Sequence, residues 1–126
     1  LPGLFGPGIK KNVIYDLLHD NILERIHADG SFQYYNLRRL WDDVVTALDN
    51  QLTTVHLTSE PISTASLARG AFGMEFDNRP PDVPVGSYDL RTIHAELYGG
   101  VNPYTYSREQ TLAEVADFVH EERTGR

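Results

Sequence analysis

The stretch Phe32-Gln33-Tyr34-Tyr35-Asn36-Leu37-Arg38-Arg39-Leu40-Trp41-Asp42-Asp43-Val44-Val45-Thr46-Ala47-Leu48-Asp49 changes its periodicity midway. Rings and amides alternate from Phe32 to Asn36, the period of two expected of a half-buried strand with one wet face. From Leu37 onward the apolar residues Leu37, Leu40, Trp41, Val44, Val45 and Leu48 recur at steps of three and four, the spacing of one helix face. A strand that runs directly into a helix predicts a mixed α/β or α+β arrangement.

The same signals continue on both sides. Before it, the Gly6-Pro7-Gly8 turn leads into a predicted helix from Lys10 to about Leu18, with Val13, Ile14, Leu17 and Leu18 on one face. Leu23–His27 and Ser31–Asn36 flank Asp29-Gly30, and glycine accepts the positive φ of a tight turn, so a hairpin is expected there. After it, Leu52–Thr58 is rich in Thr and Val and reads as a strand. Ser63 can cap a short helix ending near Gly70. Asp89 can cap another, with Leu90, Ile93 and Leu97 inward and Gly99 at its end. Ser107 and Gln110 fit a capping box ahead of Leu112, Val115, Ala116 and Val119, which predicts a last helix from Arg108 to about Glu122. Asp77–Gly86, with Pro80, Pro81 and Pro84, reads as loop. Helices with a few short strands, forming one domain over residues 1–126, are the expectation.

Length and composition limit the functions open to the chain. Its 126 residues can bury a core without staples, and 40% hydrophobic with 23% charged residues is an ordinary globular balance. The net charge of −7 is a poor footprint for nucleic acid, whose binding is driven by neutralising phosphates, and for an anionic membrane surface. No apolar run approaches the roughly 18 residues of a membrane span. With no cysteine, disulfides, thiol nucleophiles and Cys-based zinc sites are excluded, and a reducing, cytoplasmic setting is expected. The five histidines, His19, His27, His56, His94 and His120, form no metal-binding spacing. No G-x-S-x-G elbow occurs. The neighbouring acids Asp42-Asp43 and Glu121-Glu122 read as solvated charge on helix surfaces rather than as a catalytic dyad. The chain opens at Leu1 in what reads as the end of a strand, so it is expected to be part of a longer protein.

Two segments invite a functional reading beside a structural one. Gly3-Leu4-Phe5-Gly6-Pro7-Gly8 reads as a strand-to-helix turn. It is neither a Walker loop nor a dinucleotide fingerprint, because the spacing is wrong and Pro7 lacks an N–H. With Lys10, Lys11 and Asn12 it could instead form an anion site at a helix N-terminus. Phe32–Asn36 is either an ordinary half-buried strand or a wall presenting Gln33 and Tyr34 or Tyr35 to a polar ligand, with rings for stacking.

In chain order these segments resemble the C-terminal part of extended short-chain dehydrogenases/reductases, the NAD(P)-dependent epimerase/dehydratase family. Leu1–Gly8 resembles the strand and Gly-Pro-Gly turn after that family's catalytic part. Phe32–Leu40 is similar to its strand entering a helix. Leu52–Ser63 resembles the next strand and turn. Tyr88-Asp89-Leu90-Arg91-Thr92 is similar to a late Asp-x-Ser/Thr element, and Leu112–Val119 to the terminal helix. The resemblance implies a small substrate lobe without the Rossmann dinucleotide domain. The family's Gly-x-x-Gly-x-x-Gly loop and Tyr-x-x-x-Lys pair do not occur in the chain. Phe32 and Gln33 stand where sugar-nucleotide members carry Arg and Asp, which counts against a nucleotide-sugar substrate, and Ile93 stands where many members carry Lys.

The resemblance implies no catalytic residue or cofactor site in this chain, and the histidine spacing gives no metal site. Substrate contacts are expected at Lys11, Asn12, Gln33 and Tyr34. NAD or NADP would be held by the dinucleotide domain of the parent enzyme, leaving this lobe inactive alone. The implied partners are that N-terminal Rossmann domain and a small-molecule substrate. Apolar Leu1, Leu4 and Phe5, uncovered by a missing domain, would favour self-association. The other reading of the residues is a free-standing binding or interaction module without catalysis.

Overall fold

The computed structural model describes residues 2–125. Among these residues the fold is mixed α/β, with four α-helices and four short strands in two small sheets. Strand β1 (Gly3–Phe5) pairs in parallel with β3 (Tyr34–Asn36), with Gly3 opposite Tyr34. β2 (Ser31–Phe32) pairs antiparallel with β4 (Ile62–Ser63). The helices are α1 (Asn12–His19), α2 (Leu40–Asp49), α3 (Thr64–Phe72) and α4 (Arg108–Arg123). No helix among the described residues is long and apolar enough to cross a membrane.

Alternation along β3 divides the interior. Tyr34 joins the larger core with Phe5, Ile14, Leu17, Ile62, Leu67 and Val115, where α1, α3 and α4 close over β1 and β3. Tyr35, one residue on, enters a second cluster with Leu57 and Tyr106. Both edges of the β1–β3 pair are closed by side chains. Asn12 Nδ2 donates to the Leu4 carbonyl at 2.7 Å, and Ser59 Oγ accepts from Tyr34 N at 3.0 Å and donates to its carbonyl at 2.6 Å. A sheet this narrow would otherwise leave its peptide groups open to another chain.

The helix caps follow the sequence. Ser63 Oγ accepts from Ser66 N and starts α3, which runs past Gly70 to an αL cap at Gly73. Ser107 and Gln110 form a capping box on α4.

Several expectations are corrected. No hairpin forms at Asp29-Gly30. Leu23–Arg25 is a 3-10 turn, tied down by Asn78 Nδ2 on the carbonyls of Leu23, Glu24 and Ile26, while Ser31 pairs with Ser63 instead. Leu52–Thr58 is not a strand. The chain gains neighbours only toward Ser59, where Glu60 N donates to the Tyr106 carbonyl and Thr105 N to that of Thr58. The helix expected after Asp89 reduces to a 3-10 turn at Ala95–Tyr98, because the backbone before it is engaged elsewhere: Leu90 by Gln33, and Thr92 N by the Pro103 carbonyl. Leu90, Ile93 and Leu97 point outward rather than in. Phe5 lies in the core at 2% exposure and Leu4 is half-buried, so these two do not form the exposed patch expected of them; Leu1 lies outside the described residues. Exposed apolar residues lie elsewhere, among them Trp41, Val44 and Leu48 on α2 and Ile93 and Val101 in the loops before α4.

Candidate functional site

Three segments meet beside the open end of the β1–β3 pair. They enclose a groove of about 450 Å³ lined by Pro2 and Gly3, by Asn12 and Val13 at the start of α1, by Phe32, Gln33 and Tyr34, and by Tyr88 and Leu90. Each wall has a local cause. Asn12 adopts φ 68°, a left-handed conformation that asparagine tolerates better than most residues. Its Oδ1 accepts from Ile14 N at 3.0 Å while its Nδ2 holds Leu4, so one side chain fixes both the helix start and β1. Gly3 lets the strands approach closely, since a β-carbon would lie 3.2 Å from the Gln33 carbonyl, tighter than an ordinary contact.

Gln33 builds the far wall. Ser31 holds the incoming segment by its backbone, donating to the Gly86 carbonyl at 2.9 Å and accepting from Tyr88 N at 3.0 Å. Two residues later the Gln33 carbonyl turns to β1, accepting from Gly3 N at 3.1 Å, and its side-chain amide takes over the ladder. Nε2 donates to the Leu90 and Ser59 carbonyls at 2.7 and 2.9 Å, and Oε1 accepts from Leu90 N at 2.8 Å. A buried amide satisfied on both sides behaves as a peptide group set sideways. Phe32 is seated by glycine: a β-carbon on Gly30 or Gly86 would come within 2.9 Å of its ring. Its ring centroid lies 5.4 Å from that of Tyr88, tilted by 42°.

The structure therefore brings Asn12, Gln33 and Tyr34 together. Gln33 has both amide hydrogens engaged within the fold. Asn12 keeps one amide hydrogen for a ligand. Tyr34 presents its ring, while its hydroxyl is buried without a hydrogen-bond partner among the described residues, and burial pushes that phenol well above its usual range. Lys11 is not brought in. It is exposed and lines a separate cavity of about 100 Å³ with Lys10, Tyr15 and Glu122 on the other side of Asn12. No ion pair engages Lys10 or Lys11 among the described residues.

Val13, Phe32, Tyr88 and Leu90 complete the groove and were not singled out as site residues. Phe32 lay within the alternating strand pattern. Tyr88 and Leu90 were read as part of an expected helix start and not as groove walls, because the hydrogen bonds that place them come from Ser31 and Gln33, far away in sequence. Asp89 between them turns outward, held below the usual carboxyl range by Arg91 and then by the Tyr104 hydroxyl at 2.5 Å.

A second polar cluster lies behind α2, and it corrects the reading of Asp42-Asp43. Asp43 is the buried residue of α2, at 6% exposure. Its carboxylate accepts from Tyr35 at 2.5 Å and from Tyr106 at 2.7 and 2.8 Å, and its carbonyl accepts from Tyr98 at 3.1 Å. Arg39 lies 4.4 Å from the Tyr106 ring centre and pairs with Glu114. Every side chain in the cluster is paired within the protein, and none lines the groove. It is the bolt that fixes α2.

No family model, curated protein or solved structure matches the chain.

Proposed function

We propose that the chain is the substrate-binding lobe of an NAD(P)-dependent epimerase, dehydratase or reductase, acting in the cytoplasm and closing over a small molecule beside a Rossmann-type dinucleotide domain. The observation that carries this reading is the groove: Asn12 and the neighbouring pair Gln33 and Tyr34, all expected as substrate contacts, line one groove of about 450 Å³. With neither the Gly-rich loop nor the Tyr-x-x-x-Lys pair present, hydride and proton transfer belong to the dinucleotide domain, where the nicotinamide supplies the hydride chemistry when bound. The part left to this lobe is to bind, orient and exclude water: Phe32 and Tyr88 offer faces, and Asn12 offers one donor.

Calorimetric titration of the 126-residue chain with NAD and with NADP is expected to give no binding; micromolar affinity for either would overturn the assignment. The encoding reading frame is expected to carry a strand with Gly-x-x-Gly-x-x-Gly and a later Tyr-x-x-x-Lys upstream.

A second reading, a free-standing binding module without chemistry, is favoured by the closed sheet edges at Asn12 and Ser59 and by the burial of Phe5 in the chain's own core. A reading frame that begins at this domain would select it.

A further inference from the structure

Resting on the reading of the groove as the substrate site, we propose the class of group that it takes: an uncharged, flat apolar group such as an aromatic ring system, and neither a phosphate nor a sugar nucleotide. None of the residues lining the groove is Lys, Arg, His, Asp or Glu. Its broad surfaces are the side chains of Pro2, Val13, Phe32, Tyr88 and Leu90. The two amides that could have made it polar are turned to internal work. Gln33 is bonded to Leu90 and Ser59, and Asn12 to Leu4 and Ile14, leaving a single unengaged amide hydrogen at Asn12. Of the positive charges next to it in sequence, Lys11 lines the other cavity with Lys10, and Arg91 is paired with Asp89.

A charged group entering such a groove would lose its water and gain no counter-charge, which opposes binding strongly. An apolar ring loses only unfavourable hydration there. The volume lies within the range of small-molecule pockets and accepts a bicyclic ring system. The tilt of 42° between Phe32 and Tyr88 leaves a ring edge and a ring face for an aromatic guest. One amide hydrogen selects a single acceptor, such as a carbonyl or ether oxygen on that ring.

The test is a fluorescence titration of the 126-residue chain with phenylnaphthylamine, an uncharged dye that brightens in apolar sites, followed by displacement with UDP-glucose and with inorganic phosphate. One saturable site is expected, undisturbed by either competitor. Leu90→Glu places a carboxylate in the groove at a half-exposed position and is expected to weaken the dye by tenfold or more, on the order of the effect of desolvating a charge. Tyr88→Ala, also at an exposed position, is expected to weaken it less, and Lys11→Ala not at all. Circular dichroism matched to the parent protein confirms that each variant is folded. Displacement by UDP-glucose or phosphate overturns the proposal, as does dye binding that survives Leu90→Glu, or no dye binding. These outcomes bear on the ligand class alone, because the lobe assignment is decided separately by the nucleotide titration and the reading frame.

Discussion

Asp43 and Tyr106 meet through two hydrogen bonds, at 2.7 and 2.8 Å, from one phenol to both oxygens of one carboxylate. Tyr35 adds a third at 2.5 Å. A helix with apolar residues at helical spacing is thus held to the protein by its one buried acid, while Trp41 and Leu48 face outward.

Asp43→Ala leaves two buried phenols without their acceptor and is expected to cost about 3 kcal/mol or more. Asp43→Asn keeps one acceptor oxygen and is expected to cost about half of that. Urea denaturation monitored by circular dichroism measures both. Equal stability of Asp43→Ala and the parent would remove the bolt from the account of α2.

The same cluster sets an alkaline limit. Tyr35 and Tyr106 are held above the ordinary phenol range, first by burial and then by their hydrogen bonds to Asp43. Above about pH 10 the unfolded chain releases phenolic protons that the folded chain keeps. The stabilisation is therefore complete below that pH and is lost as pH rises through the folded values. Urea midpoints at stepped pH are expected to fall above about pH 10, with a shallower fall in Tyr35→Phe. Parallel slopes for the two proteins would contradict this.

Gln33→Ala removes the amide that carries Leu90. A loss of about 2–3 kcal/mol is expected, together with faster hydrogen exchange at the Leu90 amide while α4 stays protected. Protection of Leu90 unchanged from the parent would show that the segment is held by something else.

Asn12 does two jobs that substitution can separate. Asn12→Asp retains the acceptor for Ile14 N but loses the donor to Leu4, and its charge suits a helix N-terminus. Asn12→Ala loses both hydrogen bonds and places alanine at φ 68°. The expected order of stability is parent, Asp, Ala, with Ala lower by about 1–2 kcal/mol. Thermal denaturation reads the order directly.

Trp41, 74% exposed and the only tryptophan, is expected to emit as a solvated indole and to change little on unfolding. Trp41→Ser should shift stability by no more than about 0.5 kcal/mol. A large loss would mean that the indole packs on the protein.

What the sequence made legible follows the range of the forces involved. α3 and α4 begin where Ser63 and Ser107 place them, because a cap is decided within three or four residues. The hairpin at Asp29-Gly30 and the helix after Asp89 were lost to distant side chains, Asn78 in one case and Gln33 in the other. The spacing in Leu40–Asp49 correctly indicated a helix but not its orientation, since three tyrosines waiting for an acceptor outweighed the apolar stripe. Asn12, Gln33 and Tyr34 could be chosen from the sequence as polar or aromatic residues in a patterned stretch. That Gln33 would turn its amide inward could not, because its partners lie 26 and 57 residues away.

The slot that seats Phe32 makes the groove adjustable from behind. Gly30 and Gly86 crowd the ring without lining the groove, so a methyl at either place would meet it at 2.9 Å and force it to shift. The shape of the groove can therefore be tuned at two positions outside its lining, through the one ring that they seat.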